Sequence, residues 1–231
     1  MKVYAIGDLH LSGAVDKPMD IFGPAWENHT EKLERNWKET VSDDDMVLVC
    51  GDLSWANTLA EAEPDLELID SLPGTKFFIR GNHDYWFDSP SKVRKAVGDS
   101  MHLLRFDAHV FDGVGVCGIR AWPWPGLSEY EEERDEKHWR RAQIRLGLSL
   151  DKLAELEWDV AIAMFHYPPL NGAETSELCT MIREAGVRHC VYGHLHGEAL
   201  EGAFEGTRDD IEYHCVSADH VDFTPVPILN V

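Results

Sequence analysis

The stretch Met46-Val47-Leu48-Val49-Cys50-Gly51-Asp52-Leu53-Ser54-Trp55 carries the key to the fold. Five apolar residues in a row are too few for a helix and suit a strand buried on both faces. Gly51 then frees the backbone to turn, and Asp52 is the first charged residue beyond the strand. The same grammar recurs along the chain. Residues 2–7 run into Gly7-Asp8-Leu9-His10, and 76–80 run into Gly81-Asn82-His83-Asp84. Residues 159–165 run into His166, and 187–192 into Gly193-His194-Leu195-His196. Five predicted strands thus deliver Asp, Asn and His at their carboxyl ends, the edge where open α/β sheets bind ligands.

Outward from these strands, further strands are expected at 101–104, 108–112, 114–119, 211–217 and 225–230. Asp112-Gly113 between two apolar runs signals a two-residue hairpin. Trp26, Thr30, Leu33, Trp37 and Val41 recur at three and four residues and predict a helix over 26–41. Others are expected over 58–71, from a Ser89 N-cap with Pro90 in the first turn, and over 174–185 ahead of Gly186. The run 129–136 reads as the solvated face of one more. Strands alternating with helices define the α/β class, with sheet inside and helices outside. No repeat or linker interrupts the chain, so one domain spanning 1–231 is expected.

Composition narrows the function. The chain has 231 residues, 44% hydrophobic and 27% charged, the balance of a globular protein. Against 21 Lys and Arg stand 42 Asp and Glu, a net charge of −21. Long nucleic acid and anionic membrane surfaces are poor partners for such a chain. An anionic small molecule remains open to it wherever bound cations reverse the local field. Five cysteines, none in a C-x-x-C pattern, read as buried free thiols. No signal peptide and no long apolar stretch appear, and a cytoplasmic location is expected.

The strand-end residues suit metal ions. Imidazole with carboxylate favours a mid-row divalent ion such as Mn, Fe or Zn. In Asp8-x-His10 and His194-x-His196, alternate residues of an extended chain face the same way. Asp8, His10, Asp52, Asn82, His166, His194 and His196 make seven candidate ligands, too many for one ion. Two ions sharing a carboxylate fit the count.

The ordered set GDLH, GDLSW, GNHD, FHYPP and GHLH over residues 7–196 resembles the calcineurin-like metallophosphoesterases. Residues 17–23 and Ser217-Ala218-Asp219 resemble one compact microbial branch of them. The resemblance implies a four-layer α/β/β/α sandwich with a dimetal site at the strand ends. It implies Asp8, His10 and His196 on a first metal, Asn82, His166 and His194 on a second, and Asp52 as the bridge. The implied activity is hydrolysis of a phosphodiester or small-molecule phosphate ester by a hydroxide held between two divalent ions. His83 has no ligand slot and is expected to stabilise the phosphoryl charge or protonate the leaving oxygen. Asp84 is expected to hold His83 in one tautomer, with a turn-capping carboxylate as the alternative.

Three competing functions remain: a Ser/Thr protein phosphatase-like phosphomonoesterase, a metal-binding regulatory homologue without catalysis, and a nuclease, for which the net charge of −21 disfavours long polynucleotides but not mononucleotides or cyclic nucleotides. Protein phosphatases carry GDxVDRG, whereas no Arg closely follows Asp52 here. The presence of His83 speaks against a non-catalytic homologue. Arg80 and Arg120 are candidate phosphate forks, with structural ion pairs as the alternative. Trp122 and Trp124, on a proline-stiffened loop, are candidates for stacking on a planar substrate group, with loop packing as the alternative. The histidines outside the motifs, His189 and His214 among them, read as structural or solvated.

Overall fold

The computed structural model describes all 231 residues. In chain order the strands are β1 (Lys2–Ile6), β2 (Met46–Val49), β3 (Thr75–Phe78), β4 (Met101–Leu103), β5 (Ala108–Phe111), β6 (Val114–Ile119), β7 (Val160–Phe165), β8 (Leu170–Asn171), β9 (Glu174–Thr175), β10 (His189–Tyr192), β11 (Gly206–Arg208), β12 (Ile211–Cys215) and β13 (Val226–Asn230). The helices are α1 (His29–Thr40), α2 (Leu59–Ser71), α3 (Pro90–Ala96), α4 (Glu132–Ala154) and α5 (Glu177–Glu184). The chain divides into two compact units, Met1–Leu103 with Val216–Val231, and Leu104–Cys215. Each is α/β, as expected from the alternating pattern.

The first unit holds a five-stranded sheet in the order β13-β1-β2-β3-β4, parallel except where β13 pairs with β1. Alternate residues Tyr4, Ile6, Val47, Val49 and Phe78 join Leu33 and Trp37 of α1 and Leu66 and Ile69 of α2 in one core. That is the period-two face of a strand meeting the i, i+4 stripe of a helix. α1 starts later than the periodicity suggests. Asn28 takes a left-handed conformation (φ 51°), so the helix begins at His29 and Trp26 is buried from the preceding turn. α2 opens on a capping box between Thr58 and Glu61. Pro90 stands in the first turn of α3, but the Ser89 hydroxyl lies near Ser91 Oγ and makes no cap.

The second unit holds a six-stranded sheet in the order β11-β12-β10-β7-β6-β5, its four central strands parallel. The Asp112-Gly113 hairpin joins β5 to β6, with φ positive at both residues as that turn demands. α4 runs on well past the charged stretch, burying Trp139, Ala142, Leu146 and Leu153 at helical spacing. The helix expected over 174–185 starts only at Glu177, because Glu174–Thr175 pair with Leu170–Asn171 as β8–β9. All five cysteines are buried free thiols, as expected. No helix is long and apolar enough to cross a membrane.

Candidate functional site

In the first unit β1, β2 and β3 lie side by side and parallel, so their carboxyl ends share one edge. The pairing continues into the loops. Asp8 N–H donates to Gly51 O at 2.9 Å, His10 N–H to Asp52 O at 3.0 Å, and Trp55 N–H to Leu11 O at 2.9 Å. Asp8, His10 and Asp52 all sit in the left-handed region, with φ of 58°, 47° and 52°. That conformation costs a non-glycine residue roughly 1–2 kcal/mol, and such strain gathers where function holds it in place.

The same three side chains are buried: Asp8 0%, Asp52 1% and His10 4% exposed. His10 Nε2 lies 3.8 Å from Asp52 Oδ2. Burying two carboxylates beside an imidazole is costly unless positive charge compensates them. This hard-oxygen and imidazole donor set fits divalent ions, and Asp8, His10 and Asp52 are the residues of this unit best placed to hold them.

The loop after β3 closes over Asp52. A Cβ on Gly81 would overlap the Asp52 backbone N and Oδ1, so only glycine fits at that contact. His83 N–H donates to Asp52 Oδ1 at 2.7 Å. The His83 ring stands 4.5 Å from that of Trp55, and its Nδ1 is 3.2 Å from the Tyr85 hydroxyl. A cavity of about 400 Å³ borders His83, Trp55, Tyr85 and Lys17.

The Asp84 carboxylate is turned toward backbone donors. Its Oδ2 accepts from the N–H groups of Asp52 (2.9 Å) and Gly81 (2.7 Å). Its Oδ1 accepts from Leu53 N–H (2.8 Å), Ser54 N–H (3.2 Å) and the Trp86 indole N–H (2.9 Å). Five donors fill the capacity of one carboxylate, which leaves none to orient His83. These bonds have the form of the turn-capping reading: Asp84 ties the β2 and β3 loops together at Asp52. An amide at this position would set its NH₂ against backbone N–H groups. Asp84→Asn should therefore lower unfolding free energy by about 2–4 kcal/mol and weaken metal binding by about 10–100-fold. Thermal melting and metal titration check this. Unchanged stability with a purely catalytic loss would restore the tautomer role.

In the second unit β7 and β10 are parallel neighbours, with Tyr192 opposite Phe165. His166 and Gly193-His194 therefore leave the sheet side by side, and the two imidazole rings lie 5.0 Å apart, edge to face. His166 is buried and His194 is left-handed (φ 74°). His196 follows at the mouth of a 3-10 helix over Gly197–Gly202. Glu129, which the sequence offered only as part of a charged run, brings Oε1 to 3.6 Å from His194 Nε2. Nothing local signals this contact, because 65 residues separate the partners.

The other candidates are engaged in packing. Arg80 donates from Nε to Asp84 O at 3.2 Å and lies over the Phe87 ring. The Arg120 guanidinium stacks 4.7 Å from the Trp122 ring. Trp122 donates to Asp135 Oδ1 at 3.0 Å and stacks on His138. Trp124 is 6% exposed, covers Gly126 and donates to Pro168 O at 3.0 Å. Its burial and its bond to Pro168 suit the packing reading. Trp124→Ala should cost about 3–5 kcal/mol of stability, read by denaturant unfolding. A variant as stable as the parent with a raised KM for a nucleotide ester would contradict that role.

Buried acidic and imidazole side chains at the carboxyl ends of parallel strands are the marks of a metal-dependent hydrolase on an α/β frame. The chain matches the calcineurin-like phosphoesterase family over residues 1–198 and belongs to it. It is 30% identical over 145 residues to Gene 66 protein of Mycobacterium phage D29, covering 60% of this chain and 71% of the phage protein. It is 31% identical over 126 residues to protein MJ1445 of Methanocaldococcus jannaschii, covering 48% of this chain and 68% of that one. Among solved structures, TT1561 of Thermus thermophilus shares the fold at a TM-score of 0.52 and 15% identity, over 84% of this chain and 81% of that one. Membership makes the protein a metal-dependent phosphoesterase in general terms, with divalent ions as cofactors.

Proposed function

We propose that the two units act together as one phosphoesterase domain that hydrolyses a phosphodiester or other small phosphate ester. The observation that carries this is the pair Asp8 and Asp52, buried and left-handed on adjacent strand ends of a family member. Asp8, His10 and His196 would hold one divalent ion (Mn, Fe or Zn), and Asn82, His166 and His194 a second, with Asp52 shared. Bound there, such ions polarise phosphoryl oxygens and acidify water.

The chain's own residues do the rest. Asp84 and Gly81 fix the position of Asp52. His83, beside the roughly 400 Å³ cavity, donates a proton to the leaving oxygen or stabilises the phosphoryl charge. Trp55 and Tyr85 flank that imidazole.

The absence of an Arg close behind Asp52 favours diesters and small esters over phosphoproteins, since a dianionic monoester gains most from a guanidinium fork. The acidic balance argues against long nucleic acids as substrates. A panel of bis(4-nitrophenyl) phosphate, 4-nitrophenyl phosphate and a phosphopeptide, with Mn supplied, tests this. Higher kcat/KM on the diester is the expected result. A clear preference for the phosphopeptide would establish the protein-phosphatase alternative instead.

A further inference from the structure

Three ligand-bearing side chains gather in the second unit away from the strand-end motifs. β10 and β12 are parallel neighbours, and their register sets His189 opposite Glu212. His214 lies two residues beyond Glu212 and so projects from the same side of the sheet. That side is the reverse of the one where Cys190, Tyr192, Ile211, Tyr213 and Cys215 enter the helix-covered core. His189 Nδ1 is 3.4 Å from one Glu212 oxygen, and His214 Nε2 is 3.7 Å from the other. All three donor atoms lie within 4.8 Å of one another.

Neither of those imidazole nitrogens has a hydrogen-bond partner, although both atoms are buried. A buried nitrogen without a partner normally costs about 1–3 kcal/mol, so two in one cluster need a reason. Four-coordinate zinc with ligands at about 2.0–2.1 Å sets its donor atoms about 3.3 Å apart. The two distances to Glu212, 3.4 and 3.7 Å, are already close to that.

We propose that His189, Glu212 and His214 form a site for one zinc ion, distinct from the residues that serve phosphoester hydrolysis. Two imidazoles and a carboxylate are a zinc donor set, with a fourth position for water or a further carboxylate. The β11–β12 register supplies one: Gly206 stands opposite Tyr213, so Glu205 is carried alongside His214. Glu212, about half exposed, gives the ion its way in from solvent. His189 opens β10 and His214 stands opposite Val191, three residues before His194, so the ion would sit on the face of the sheet rather than at the strand-end loops. Bound to the folded chain alone, it would staple β10 to β12 and raise the melting temperature.

The test is a zinc titration of the metal-stripped full-length protein, read by calorimetry and element analysis, for the parent, His214→Ala and Glu212→Gln. The expected result is one zinc equivalent fewer in His214→Ala, zinc bound about 10–100-fold more weakly at one site in Glu212→Gln, and diester hydrolysis with Mn unchanged in both. The difference between parent and variant is read whether or not the protein hydrolyses any ester tried. Circular dichroism confirms folding, and if His214→Ala does not fold, Glu212→Gln, a same-sized change at a partly exposed residue, carries the test. Identical zinc stoichiometry and affinity in the parent and the folded variants would overturn the proposal. So would loss of hydrolysis alongside the zinc, which would make the site part of the catalytic machinery.

Discussion

Asp52→Asn should abolish hydrolysis and deplete both divalent ions together. The substitution is mild for the backbone, because Asn tolerates the left-handed conformation that Asp52 adopts (φ 52°). The amide oxygen can still accept the His83 N–H, so the β3 loop should stay in place. What changes is charge: a buried anion becomes neutral at the point proposed to be shared between two cations. Asp8→Asn removes an equally buried anion, but one assigned to a single ion, and should empty that ion preferentially. Element analysis of the two variants separates the cases. Two ions retained in Asp52→Asn would sink the bridging assignment, and equal depletion in both variants would blur it into a general loss of charge.

His83→Ala should keep its metals and lose about 10²–10⁴-fold in kcat, the usual contribution of a positioned proton donor. Its imidazole borders the cavity, with Tyr85 and Trp55 against it, while its backbone N–H is what contacts Asp52. Truncating the side chain therefore leaves the Asp52 loop intact. The loss should shrink for esters of acidic phenols, which depart without protonation, and grow for alkyl esters. Equal losses across that series would show that His83 works by charge on the phosphoryl group. A loss of bound metal would show instead that it is a ligand.

The strand ends were legible because the sequence writes them twice, once as an apolar run and once as the Gly-Asp, Gly-Asn or Gly-His that follows. Period and punctuation are local, and so β1, β2 and β10 stand within two residues of where the pattern set them, and β7, which has no such glycine, was set by its apolar run alone. Roles that depend on how two distant loops meet were not legible. Asp84 follows His83, and adjacency suggested a partnership. Its carboxylate in fact reaches back 30 to 32 residues to Asp52, Leu53 and Ser54. Trp124 offered an aromatic ring on a stiff loop, and only the fold shows that loop turned inward onto Pro168. The His189–Glu212–His214 cluster was invisible for the same reason: strand register, not spacing, brings residue 189 to residue 212. Helix ends slipped where a single residue, such as Asn28, left the helical region.

The most direct test of the central claim is removal and return of metal. The protein is stripped with a chelator, dialysed, and assayed on bis(4-nitrophenyl) phosphate while Mn is added back, with Asp52→Asn in parallel. The account predicts no turnover in the stripped protein, recovery that saturates with added Mn, and no recovery in Asp52→Asn. Hydrolysis that survives stripping, or that returns equally in Asp52→Asn, would contradict it.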